Sequence, residues 1–133
     1  EYGLTIRQSA VIVRNAVRRA GIVVAHNAVF DTAILEALNL RVFKDYEPLE
    51  WPCIFCTMVE SSPLLNLPPA DRMKAVGFNK PKPPKLEEAI RFFFDEDLSG
   101  AHDAMVDVMA CKRVYDHLMA MDKPSHHSAS ASQ

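Results

Sequence analysis

The chain has 133 residues, of which 49% are hydrophobic and 24% charged, and its formal net charge is −2. That profile predicts one soluble globular domain and excludes a disordered chain, and no apolar run approaches the roughly 20 residues that a bilayer span needs. So small a charge exerts no global pull on nucleic acid, so any such binding must come from a local basic patch around an acidic, metal-neutralised site. No signal peptide opens the sequence. Three cysteines are an odd number and too few for a disulfide framework, which predicts a reducing cytoplasm.

In chain order, Thr5 and Gln8 have the spacing of a capping box and Gly21 offers a stop, so a helix is predicted from Thr5 to Ala20. Ile22-Val23-Val24-Ala25-His26 reads as a short, β-branched strand of the buried type. A second helix is predicted from near Val29 to about Leu38, with Asn39 close to its end. Pro52 to Met58 reads as another strand, entered from a proline at its edge. From Ser61 to Lys85 the prolines argue for a long irregular connection, which also carries Arg72, Lys74, Lys80, Lys82 and Lys85 against the single acid Asp71. Lys85 to Phe94 reads as a helix with Leu86, Ala89, Ile90 and Phe93 on one side, followed by a turn over Asp95 to Gly100. The last helix is predicted from His102 to about Met121, and the polar segment from Lys123 onward as a frayed tail. The domain therefore spans 1–121 and the tail 122–133. Helix, hydrophobic strand, helix is the order of an α/β layer protein.

Two aspartates break the apolar pattern. At about 100° per residue the last helix has a stripe of Ala110, Val114 and Leu118 with Cys111 at its edge, and Asp107 falls inside it. Asp31 repeats the situation beside Ile34, Leu35 and Leu38 near the start of its own helix. A carboxylate aimed at a core is costly unless something charged or hydrogen-bonding receives it. Plain N-terminal capping is one explanation, since helix first turns favour acids. The other is a divalent cation, because oxygen ligands from a few carboxylates suit Mg²⁺ or Mn²⁺. His102, five residues before Asp107, would not share its helix face, and it reads as a loop or cap residue whose ring swings toward whatever Asp107 binds. Its ordinary pKa near 6.5 suits general-base work. Cys53-x-x-Cys56 suggests zinc or redox chemistry, but zinc needs two more ligands and a redox pair a strand-to-helix junction, so structural cysteines in a buried strand are expected. His126-His127 reads as part of the solvated tail.

Ala25-His26-Asn27-Ala28-Val29-Phe30-Asp31 resembles the second motif, and Ala101-His102-Asp103-Ala104-Met105-Val106-Asp107 the third motif, of the DEDDh 3′–5′ exonucleases, a proofreading-type family on a ribonuclease H-like fold. The His-x₄-Asp spacing is that of the histidine branch. The tyrosine branch would carry Tyr where this chain has Asp103. Cys56-Thr57-Met58 is similar to the family's Asp-Thr-Leu, departing at its first position. The resemblance covers most of residues 22 to 119. It implies the C-terminal portion of that α/β fold, a mixed sheet flanked by helices with its first strands absent from the chain. It further implies Asp31 and Asp107 as ligands of a two-metal Mg²⁺ or Mn²⁺ site, and His102 as the base that deprotonates the attacking water. Asn27 and Phe30 would hold the 3′ end of single-stranded DNA or RNA. Nucleoside 5′-monophosphates would be released, and a homodimer, a polymerase or the missing N-terminal segment are the protein partners implied. The family's first motif, Asp-x-Glu on its first strand, has no counterpart here. Glu1 is too close to Asp31 and lacks the partner Asp. The expectation is therefore a segment upstream of Glu1 that supplies this acid pair, and no nuclease activity from these 133 residues alone. A relative that binds nucleic acid without cutting it is the alternative. The Arg72 to Lys85 segment, with Phe78, would line the backbone path or be a solvated loop.

Overall fold

A computed structural model describes residues 3–44, 47–101 and 103–122. Helix α1 (Ile6–Arg19) begins at a complete capping box: the Gln8 backbone N–H donates to Thr5 Oγ1, and the Thr5 N–H donates to Gln8 Oε1 at 2.8 Å. It ends at Ala20, whose extended backbone turns the chain before Gly21 is reached, so the stop needs no left-handed glycine. Strand β1 (Ile22–Ala25) follows, then helix α2 (Ala28–Val42) and strand β2 (Cys53–Cys56). The two strands pair in parallel, Ile22 opposite Cys53 through Ala25 opposite Cys56, with α2 as the crossover that a parallel pair requires.

The chain is thus α/β, with six helices around a two-stranded parallel sheet among the described residues. The antiparallel part expected of a mixed sheet is not among them. Nor is β1 deeply buried as its β-branched run suggested: Ile22 is exposed and the rest of the strand half-buried, because a two-stranded sheet has only edge strands. Helix α2 runs four residues past the predicted Leu38. Asn39, expected near its end, is instead buried inside it and donates from Nδ2 to the Glu47 carbonyl at 2.8 Å.

The second strand stops at Cys56, two residues short of expectation, because Thr57 opens helix α3 (Thr57–Leu65). Ser61 Oγ and Ser62 Oγ donate to the carbonyls of Thr57 and Met58, at 2.6 and 2.7 Å, inside that helix. Pro63 lies within it and removes one amide donor, the one that would reach Val59, whose side of the helix is open to water. The proline-rich connection is further interrupted by the short helix α4 (Asp71–Ala75).

Helix α5 (Leu86–Phe94) starts where the Glu88 carboxylate accepts the Lys85 N–H at 2.7 Å, one half of a capping box, since a lysine ammonium cannot accept in return. Helix α6 (Ala104–Met121) is capped by Asp103, whose carboxylate accepts from the amides of Met105 and Val106. Gly100, at φ +78°, makes the turn ahead of it in a conformation that side chains rarely adopt. The core is the seam between these two helices: Ala89 and Ile90 of α5 against Ala110, Val114 and Leu118 of α6, flanked by Phe55, Leu86 and Phe93. Both predicted stripes are therefore the buried ones. The predicted tail from Lys123 lies outside the described residues. Among the described residues, no helix is long and apolar enough to cross a membrane.

Since Ile90 is only 3% exposed, Ile90→Ala should cost about 3 kcal/mol, within the 2–5 kcal/mol usual for such truncations. Urea denaturation checks this, and a loss under 1 kcal/mol would show that the seam is not the core.

Candidate functional site

A groove of about 710 Å³ runs alongside β1, with walls from β1, α2 and α6. Asp31 and Leu35 enter it from α2, and Asp107, Cys111 and Tyr115 from α6. Each set is spaced four residues apart, one helical turn, so each presents a single face. The two aspartates singled out by the sequence, 76 positions apart in the chain, therefore line one concavity. Asp107 is half-buried, while Asp31 stays more accessible and Ile34 points outward. Both acids stand in the first turns of their helices, where free amides and the helix dipole also favour a carboxylate, while the N-cap of α6 itself is Asp103.

Asp31 stands at a groove wall where partial burial pushes its carboxyl pKa up, opposed by its own backbone N–H and by the charge of His26. His26 itself was missed as a site residue. It follows β1 directly, just ahead of Asn27, whose left-handed backbone (φ 75°) swings the chain into α2. Its Nε2 lies 2.9 Å from the Pro84 carbonyl and must donate to it; Nδ1, 2.9 Å from Thr57 Oγ1, then accepts the threonine hydroxyl in the neutral ring. Cys111 Sγ, 3.6 Å from Thr57 Oγ1, continues the chain of polar groups onto α6. One imidazole thus ties the β1–α2 turn to the start of α3 and the entry to α5. Burial lowers the His26 pKa, partly offset by its bond to Pro84 and the charge of Asp31. Burial likewise raises the Cys111 thiol. The sequence signal for His26 was its place between a strand and an Asn-initiated helix.

The other expected site residues fall as follows. His102 lies outside the described residues, as do His126 and His127. Asn27 and Phe30 are exposed, Phe30 at 60%, but neither lines the groove, since Phe30 is rotated about 100° from Asp31 around α2. Cys56 does occupy a strand-to-helix junction, as the N-cap of α3, contrary to expectation, and Cys53 is exposed rather than buried. Even so, three extended residues separate their Cα atoms by about 10 Å, beyond the roughly 7 Å a disulfide tolerates, and place the thiols on opposite faces. Of the basic connection, Lys82 is engaged by Glu88 at 2.6 Å, and Phe78 is exposed.

Two carboxylates fit a hard divalent cation in part only: among the described residues no group of three His, Cys, Asp or Glu side chains gathers to hold a metal ion. Comparison with known protein families, with curated proteins and with solved structures finds no match for this chain.

Removing the His26 ring leaves the Thr57 hydroxyl and the Pro84 carbonyl without their partner, so His26→Ala should cost about 2–3 kcal/mol at pH 7.5. A lowered folded pKa contributes stability above the unfolded value near 6.5 that is lost as pH falls through the folded one. The gap between wild type and variant in urea should therefore narrow at pH 5; an equal gap at both pH values contradicts the clamp. Asp31 has the opposite sign: its raised pKa favours the protonated fold, so stability falls as pH rises through that range. Asp31→Asn should raise the melting temperature at pH 7 by roughly 1–3 °C and leave it unchanged at pH 3. A lower melting temperature at pH 7 would mean that the charge is compensated.

Proposed function

We propose that this chain carries the Asp31 and Asp107 half of a metal-dependent 3′–5′ exonuclease site, on a ribonuclease H-like fold, acting on single-stranded DNA or RNA. What supports the reading is one observation: two carboxylates at odds with their helices' apolar faces line the same groove beside a strand end.

In this reading Asp31 and Asp107 would hold Mg²⁺ or Mn²⁺, with further oxygen ligands completing the set. When bound, such ions stabilise charge on a reacting phosphate and lower the pKa of water. His102 would take the proton from the attacking water, and the leaving group would be the 3′ oxygen of the next nucleotide, releasing a nucleoside 5′-monophosphate. The exposed Phe30 ring and Asn27, on the turn that delivers Asp31, would hold the terminal nucleotide by stacking and hydrogen bonding. His26 acts behind them as a positioning residue for that turn. We assign the reaction to a reducing cytoplasm, which three free thiols suit.

A second reading, a module that binds nucleic acid without cutting it, is favoured by the absence of a third metal-ligating side chain among the described residues. A 5′-labelled single-stranded oligonucleotide incubated with the full-length gene product and Mn²⁺ separates the two. The exonuclease reading expects a ladder of shortened products, reduced at least 100-fold by Asp107→Ala with binding retained. Binding without shortening selects the second reading, and shortening untouched by Asp107→Ala eliminates the site.

A further inference from the structure

Helix α1 contains four arginines and no acid. Arg7, Arg14 and Arg18, spaced seven and four residues apart, fall within about 40° of one another around the helix axis. They form a basic row about 16 Å long beside the face that packs on α2. At the C-terminal end of α2, Lys44 joins Arg7 and Arg14 around a cleft of about 470 Å³ floored by Phe43. The Arg14 guanidinium lies 4.8 Å from the Phe43 ring centre and donates to Glu47 at 2.7 Å, with its side chain only 16% exposed. Glu47 also reaches Arg18 at 3.4 Å. Among the described residues, one carboxylate against four cations leaves three formal positive charges, in a chain whose overall balance is −2.

We propose that this row and cleft bind the sugar-phosphate backbone of single-stranded nucleic acid. Arg14, stacked on Phe43 and paired with Glu47, fixes the floor of the cleft, and the exposed Arg7 and Arg18 offer the planar forks that phosphate oxygens accept. The Arg7 and Arg18 side chains extend the charge along a line, which suits a polymer of phosphates better than an isolated anion. The exposed Leu4, Val11 and Ile12 share one shallow cleft beside Arg7, a face that an anionic membrane surface would also use, so vesicle binding is one outcome of the test. The cleft lies at the far end of α2 from Asp31, about 17 Å along the helix. The backbone it holds would therefore be that of nucleotides several positions from the end in the groove. This inference rests on the nucleic-acid reading above for its choice of polyanion, not on cleavage.

The test is fluorescence anisotropy of a labelled 20-nucleotide oligo(dT) with the full chain, without divalent metal, across a salt series. Arg7→Ala/Arg18→Ala should weaken binding about five- to tenfold at 100 mM salt and flatten the slope of log K against log salt by about 1.4, at about 0.7 per phosphate contact. Arg7→Lys/Arg18→Lys, which keeps the charge, should retain most of the affinity and serves as the check on folding. Lys74→Ala/Lys80→Ala on the proline-rich connection, the competing basic segment, should weaken binding less than the arginine pair does. No wild-type binding, an unchanged slope in the arginine variant, or loss of affinity only in the lysine-loop variant would overturn the proposal. Stronger dependence of phosphatidylserine vesicle binding than of oligonucleotide binding on Arg7 and Arg18 would overturn it too. Binding that follows these arginines in a protein that shortens no oligonucleotide sustains this inference and sinks only the exonuclease.

Discussion

The seam between α5 and α6 is the constraint from which the rest of the structure follows. Two four-residue strands cannot build a core, so burial falls to Ile90 and Ala89 meeting Val114, Ala110 and Leu118. Phe55 brings β2 to this seam by an edge-on contact with Tyr115, ring centres 5.0 Å apart. Once α6 is locked in that rotation, Asp107 has no choice of direction: it sits one turn before Cys111 and faces the groove beside β1. The carboxylate is thus carried to its place by apolar packing further along the same helix.

Asp31 reaches the same groove by a different route. Its helix is held at the entry by His26, whose two ring nitrogens are both used, and at the exit by Asn39, Glu36 and the 47–51 segment. Glu36 accepts both the Leu49 amide and the Trp51 indole N–H. A helix pinned at both ends can present a partly desolvated carboxylate without moving to relieve it.

The sequence displayed much of this. Helical periodicity exposed the α5 and α6 stripes, the Thr5 and Gln8 spacing marked the start of α1, and the misfit of Asp31 and Asp107 with their stripes marked the groove. Local cues failed where tertiary structure outweighed them. Ser61, Ser62 and Pro63 read as loop residues, yet the serine hydroxyls fold back onto helix carbonyls and Pro63 costs a single bond on a wet face. The burial of β1 was overestimated because β-branched composition reports strand propensity, not the number of neighbouring strands. The roles of His26 and of the basic row on α1 depend on residues far away in the chain, Pro84 for one and Lys44 for the other, which periodicity cannot bring together.

The central claim is that Asp31 and Asp107 act on one ligand. Paramagnetic broadening of backbone amide signals by substoichiometric Mn²⁺ tests it directly, in the full-length gene product. The signals around Asp31 at the start of α2 and around Asp107 at the start of α6 should broaden together, and Asp107→Asn should protect both. Broadening of one cluster without the other, or of neither, would contradict a shared site.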